Sequence, residues 1–85
     1  MNVLDIGEDI RKFIVATFLY GQDQQNLERT ASLVRKGVVD SSGVLEIVTF
    51  LTQHFNISIE DDDITPDNLD SIDRITNFVA SKLGG

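Results

Sequence analysis

The stretch GVVDSSGVLEIVTFL, residues 37–51, contains the start of the helix that organises the predicted fold. Asp40 stands directly before an apolar pattern with helical spacing, and a carboxylate there can accept hydrogen bonds from the free amides of a first helical turn. The apolar residues that follow recur every three or four positions and form one predicted stripe: Val44, Val48, Leu51 and Phe55. The pattern predicts a helix from about Ser41 to Phe55, with that stripe in the core.

Two other amphipathic segments flank this helix. The first is predicted from about residue 4 to 19, with Gly21 as its stop, because its apolar residues share one face: Ile6, Ile10, Phe13, Ile14 and Phe18. The last is predicted from about 71 to 83, with Ser71 as its N-cap. Four apolar residues of this last helix are expected to face inward: Ile72, Ile75, Val79 and Leu83.

The first connection between helices is long and polar. It covers residues 21–40, and we expect Leu33, Val38 and Val39 to attach it to the core. A segment of this length between two ordered helices often lies beside a functional site.

The second connection, residues 56–70, is an acidic loop followed by a short helix. Thr65 and Pro66 suit the cap and the first position of a helical turn. The sequence therefore predicts an all-α fold, with residues 1–85 forming one domain. We expect a small bundle of three main helices plus one short helix.

Composition excludes several classes of function. The chain has 14 acidic and 7 basic residues and a net charge of −7, which disfavours nucleic-acid binding and favours partners with basic patches. With no cysteine and only His54 as a histidine, catalysis is poorly provided for, and we do not expect an enzyme. The first residues do not form a secretory signal, and no apolar run is long enough to span a membrane, so the cytoplasm is the expected location.

The acidic run Glu60 to Asp63 raises the alternative of a cation-binding module. A calcium loop of the EF-hand type that starts at Asp61 would place Pro66 at the glycine position and Ile72 at the final glutamate position. Both residues are incompatible with those roles. A solvated acidic loop is therefore the favoured interpretation.

The paired serines of the opening stretch leave two interpretations open. Ser41 fits ordinary first-turn chemistry, since serines are common at helix starts. It is also accessible to a modifying enzyme, and a phosphate attached there is stabilised by the helix dipole and by free amides.

Nearly the whole chain resembles the acyl carrier protein family. The resemblance rests on Leu33-x-x-x-Gly37-x-x-Asp40-Ser41, then Glu46, Val48, Leu51 and Phe55, then Asn56-Ile57-Ser58-Ile59. It extends through the acidic loop to the short turn at Thr65 and the last helix. In that family the serine after the aspartate carries a covalent 4'-phosphopantetheine arm derived from coenzyme A. The resemblance implies that Ser41 is the attachment site and that Asp40 helps its recognition.

A second Asp-Ser pair, Asp70-Ser71, looks even closer to the family motif. Too few residues follow Ser71 for the helices that belong downstream of an attachment site, so it is interpreted as a helix cap. Ser42 points about 100° away from Ser41 around the helix. The expected site is therefore Ser41.

The resemblance also implies partners and cargo. They are a phosphopantetheinyl transferase, an acyl- or aminoacyl-activating ligase, and condensing enzymes of fatty-acid, polyketide or related biosynthesis, served by a monomeric carrier. Leu45, Glu46 and Thr49 are the expected partner-binding residues, and the space between the second and last helices is expected to shelter apolar cargo.

Departures from the family pattern concern the face that meets partners. Ser42 and Gly43 follow the serine where the family has leucine first, and Thr52 and Gln53 replace acids. These changes favour a specialised, stand-alone carrier over a housekeeping fatty-acid carrier. The alternative from another class is an unmodified acidic adaptor that only docks partners.

Overall fold

The computed structural model describes residues 3–19 and 28–84 of the chain. Its α-helices are α1 (Val3–Phe18), α2 (Ser41–Phe55), α3 (Pro66–Leu69) and α4 (Ile72–Lys82). A 3₁₀ turn covers Asp61–Asp63. All regular structure in the described ranges is helical, and the predicted all-α bundle with one short helix is confirmed. The predicted stop of the first helix at Gly21 lies outside the described residues.

Helices α1 and α2 pack in antiparallel orientation. Asp9 Oδ2 lies 3.1 Å from His54 Nε2 at one end, and the rings of Phe13 and Phe50 stack midway with their centroids 4.0 Å apart. At the other end the ring of Phe18 lies over the start of α2. The aromatic contacts thus extend along the helix pair and fix its alignment.

Gly43 allows this close approach. A Cβ atom at position 43 would lie 2.8 Å from Phe18 Cε1 and 2.9 Å from Val39 Cγ1. Carbon atoms pack at about 3.5–4.0 Å, so even alanine would force one of these neighbours to move. The absence of a side chain at position 43 therefore leaves room for Phe18 and Val39 at the start of α2.

Helix α4 packs on α1 and on the beginning of the second described segment. A Cβ atom at Gly7 of α1 would lie 3.4 Å from Thr76 Oγ1 of α4. Arg29 Nε lies 3.0 Å from Asp73 Oδ1, and the Asp73 amide donates to the Arg29 carbonyl at 2.9 Å. The polypeptide that leads to α2 is thus fastened to α4.

The inward stripe of α2 differs from the predicted one. Gly43, Ile47, Leu51 and Phe55 are buried, whereas Val44 and Val48 are only half-buried. Positions 44 and 48 have the same four-residue spacing as the buried positions 43 and 47 and lie next to them around the helix. Spacing alone therefore could not decide which pair faces the core. Ile47, one turn after Gly43, is buried in the core, and the two valines pack against the core without being fully buried.

The prediction for Leu83 was also wrong. Ile72, Ile75 and Val79 are buried as expected, but Leu83 is 44% exposed. Helix α4 ends at Lys82, so Leu83 is its C-cap and no longer follows the helical stripe. Thr76, which the apolar pattern did not include, is buried, and its hydroxyl donates to the Ile72 carbonyl at 2.7 Å.

The acidic run is more ordered than the predicted loop. The Glu60 amide donates to Asp63 Oδ2 at 3.0 Å, and Lys82 Nζ lies 3.1 Å from the same oxygen. The hydrogen bond from the Glu60 amide, and to a lesser extent the one from Lys82, holds the pKa of Asp63 below its ordinary value. The carboxylate of Asp63 therefore fastens this turn to the end of α4.

Two leucine truncations test the corrected core. Leu51→Ala is expected to lower the free energy of unfolding by about 2–5 kcal/mol, because Leu51 is completely buried and its removal leaves a cavity. Leu83→Ala removes the same atoms from an exposed cap and should cost less than about 1 kcal/mol. Urea unfolding measures both. Similar losses for the two variants would contradict the described end of α4.

Candidate functional site

Asp40 and Ser41 form the junction between a turn and helix α2. Asp40 Oδ1 accepts a hydrogen bond from the Gly43 amide at 2.8 Å, and the Val44 amide donates to the Asp40 carbonyl at 3.0 Å. The predicted N-cap is confirmed. The side chains of Ser41 and Ser42, the first two helical residues, are exposed.

The turn before this junction has a fixed path. The amides of Val38 and Val39 both donate to the Leu33 carbonyl, at 3.0 and 3.2 Å, and Gly37 closes the turn with a φ of +73°. That backbone conformation is open to glycine and strained for other residues. Leu33 and Val39 are buried, and Val38 is half-buried, so the expected attachment of this segment to the core is confirmed.

Asp70, which follows α3, forms hydrogen bonds with the beginning of the same turn. Its carbonyl accepts the Leu33 amide at 2.7 Å, and its Oδ2 accepts the Ser32 hydroxyl at 2.6 Å. Its other carboxylate oxygen accepts the Val34 amide at 3.3 Å. Backbone and side chain of one residue thus position the segment that leads to Ser41.

Ser71 has the structural role expected of it. It is 3% exposed, and its Oγ accepts a hydrogen bond from the Arg74 amide at 3.1 Å at the start of α4. The hydroxyl of Ser41, in contrast, makes no hydrogen bond with any residue that the structure describes. Of the two serines that follow an aspartate, only Ser41 presents a free hydroxyl.

Ser41 opens onto an apolar groove of about 620 Å³. The groove lies between the start of α2, the short helix α3 and the turn near residue 34. The sequence had instead predicted a shelter for apolar cargo between α2 and the last helix. Its apolar wall comprises Val34, Val44, Leu45, Ile64, Pro66 and Leu69. Two of these side chains are strongly exposed, Val34 at 55% and Leu45 at 59%, so an apolar surface surrounds the serine.

The three residues expected to meet partners lie on the outer face of α2. Leu45, Glu46 and Thr49 are exposed, and the Thr49 hydroxyl donates to the Leu45 carbonyl at 3.1 Å. All three also border a second groove, of about 430 Å³, whose floor is the stacked pair Phe13 and Phe50. Their exposure agrees with the prediction, and their role in docking stays a prediction.

Charge is distributed unevenly around the site. Glu46 is the only acidic residue of α2, although the chain as a whole carries a net charge of −7. Arg35 and Lys36 lie on the turn before α2 and are exposed. The surface next to Ser41 is therefore apolar with charges of both signs, a feature that composition alone did not reveal.

Two other features are absent from the part of the chain that the structure describes. Within residues 3–19 and 28–84, no group of three or more His, Asp or Glu side chains is arranged to hold a metal ion. No helix of these ranges is both long and apolar enough to cross a membrane.

Comparisons with known proteins add no assignment. No family model matches the chain, and no curated protein matches it at a significant level. The function is therefore argued from the geometry of the Asp40–Ser41 junction.

The different roles of the serines predict different effects on stability. Ser71→Ala should lower the free energy of unfolding by about 0.5–2 kcal/mol, because it removes the cap of α4. Ser41→Ala should change it by less than about 0.5 kcal/mol, since no described hydrogen bond is lost. Asp40→Ala should behave like the Ser71 variant, and Asp40→Asn should retain most of the cap. Denaturant unfolding measures all four, and a large loss for Ser41→Ala would reveal a structural role for its hydroxyl.

Proposed function

We propose that the protein is a carrier that holds acyl or aminoacyl groups as thioesters on a 4'-phosphopantetheine arm attached to Ser41. The observation that carries the proposal is the free Ser41 hydroxyl at the start of α2, on the rim of an apolar groove. The resemblance to acyl carrier proteins, which covers nearly the whole chain, supports the same assignment.

The residues around Ser41 fit such an arm. In the loading reaction the Ser41 hydroxyl attacks the phosphorus of coenzyme A that bears pantetheine, and its proton passes to a base of the transferase. The bond from this phosphorus to the bridging oxygen breaks, and adenosine 3',5'-bisphosphate leaves. Asp40 keeps the backbone at Ser41 in a capped helical start, so the Cα–Cβ bond of Ser41 has a defined direction. The arm supplies a terminal thiol that forms the thioester.

The apolar groove gives the carrier a place to shield cargo. In this groove Val44 is half-buried and Leu69 is buried, whereas Val34 and Leu45 on its rim are exposed. An acyl chain placed between them would cover exposed apolar area, at about 25 cal/mol for each Å² removed from water. The proposal gives the chain itself no catalytic step, because tethering alone raises the concentration of the cargo at a partner's active site.

Partners are proposed to dock on α2 next to Ser41. Leu45 offers an apolar contact, and Glu46 and Thr49 offer polar ones. The proposed partners are a phosphopantetheinyl transferase, an acyl- or aminoacyl-activating ligase and condensing enzymes, which a monomeric carrier would meet in the cytoplasm. The single acid of α2 favours a specialised carrier over a housekeeping one.

Loading of Ser41 is tested by intact mass after incubation with coenzyme A and a broad-specificity phosphopantetheinyl transferase. Wild type, Ser42→Ala and Ser71→Ala should each gain the mass of one arm, and Ser41→Ala should gain none. Ser71→Ala is assayed at a temperature at which it is folded. Modification of Ser41→Ala would refute the site. The absence of any modification of wild type would favour the unmodified acidic adaptor.

Docking at α2 is tested by the charge reversal Glu46→Lys. It should reduce kcat/KM for arm transfer at low salt, because the attraction to a basic patch on the transferase becomes a repulsion. The difference should shrink at high salt, where exposed charges are screened. Glu8→Lys is the matched control, since Glu8 is an exposed helical glutamate in the half of α1 that lies near His54, at the opposite end of α2 from Ser41. Equal effects of the two reversals would show that only net charge matters.

A further inference from the structure

Arg35 differs from two other arginines of the described chain. Arg29 and Arg74 lie beside carboxylates, at 3.0 Å from Asp73 Oδ1 and 3.6 Å from Asp67 Oδ1. The guanidinium of Arg35 makes neither an ion pair nor a hydrogen bond with any residue that the structure describes. In a protein with a net charge of −7, this cation thus has no counter-ion within residues 3–19 and 28–84.

Arg35 lines the same groove as Ser41. Its backbone is fixed, because its amide donates to Ser32 Oγ at 3.1 Å and Ser32 is in turn bonded to Asp70 at 2.6 Å. The guanidinium is therefore attached to an anchored turn that lines the same groove as the serine, and only the side-chain torsions remain to be ordered when an anion binds.

An anion on Ser41 would meet both attraction and repulsion at the start of α2. The Asp40 carboxylate already accepts the Gly43 amide and adds a negative charge beside the serine. The first turn, Ser41 to Val44, contains no basic side chain. A phosphate group on Ser41 would meet the dipole of α2 but also the repulsion of Asp40.

We propose that Arg35 binds the phosphodiester through which the arm is attached to Ser41, and so directs the arm along the apolar groove. This inference rests on the proposed function. Arginine suits the role because its planar guanidinium offers two parallel N–H donors to two oxygens of one phosphate. The ion pair offsets the charge of Asp40 and orders the arm before any cargo is attached.

The test uses the arm-bearing protein and two variants, Arg35→Gln and Lys36→Gln. Lys36 is the matched control, because it is the next residue of the same turn, is exposed and carries the same charge. The readouts are the ³¹P resonance of the phosphodiester across a salt titration and the solvent exchange of the Arg35 Nε–H proton by NMR. The protein before arm transfer is the reference for the exchange rate.

We expect attachment of the arm to slow exchange of the Arg35 Nε–H proton by about two- to five-fold at low salt, as for an exposed ion pair. The ³¹P resonance should move with salt in wild type and in Lys36→Gln and stay nearly constant in Arg35→Gln. Identical salt responses of wild type and Arg35→Gln, or unchanged exchange, would overturn the inference while leaving the carrier function intact. A wild-type protein that never gains the arm would overturn both.

Discussion

The contact between Asp70 and the turn at Leu33 holds the site to the rest of the bundle. One residue supplies a carbonyl to the Leu33 amide and a carboxylate to Ser32, 38 residues away in sequence. Because the Leu33 carbonyl in turn accepts two amides of the turn, the path of the chain toward Asp40 follows from where Asp70 lies. The free serine is thus presented on a segment fixed at both of its ends.

Local signals in the sequence predicted the helices and the side-chain caps of α2 and α4. Asp40 and Ser71 cap helices in the structure, and Pro66 begins the short one, because each role depends on a few neighbouring backbone groups. The sequence also assigned different roles to Ser41 and Ser71, with Ser71 as the cap of the last helix. The structure gives that distinction a physical basis, since burial and a hydrogen bond hold the second hydroxyl in place.

The parts that sequence could not predict depend on contacts between distant segments. Helical spacing fits an inward stripe through Val48 or through Ile47, and only the packing of the folded bundle shows that Ile47 is the buried residue. The position of the groove depends on where α3 and the turn near Val34 meet α2. That Arg35 has no ion-pair partner within residues 3–19 and 28–84 is likewise visible only in the folded structure.

The link between Asp70 and the turn has a consequence during synthesis of the protein. Ser41 leaves the ribosome before Asp70 does, since the chain is made from its amino end. Until Asp70 follows, the turn before the serine lacks the residue that fixes it, and the groove lacks the wall formed by Pro66 and Leu69. A nascent chain therefore displays the serine without its surroundings, so an enzyme that recognises those surroundings acts only on the finished protein.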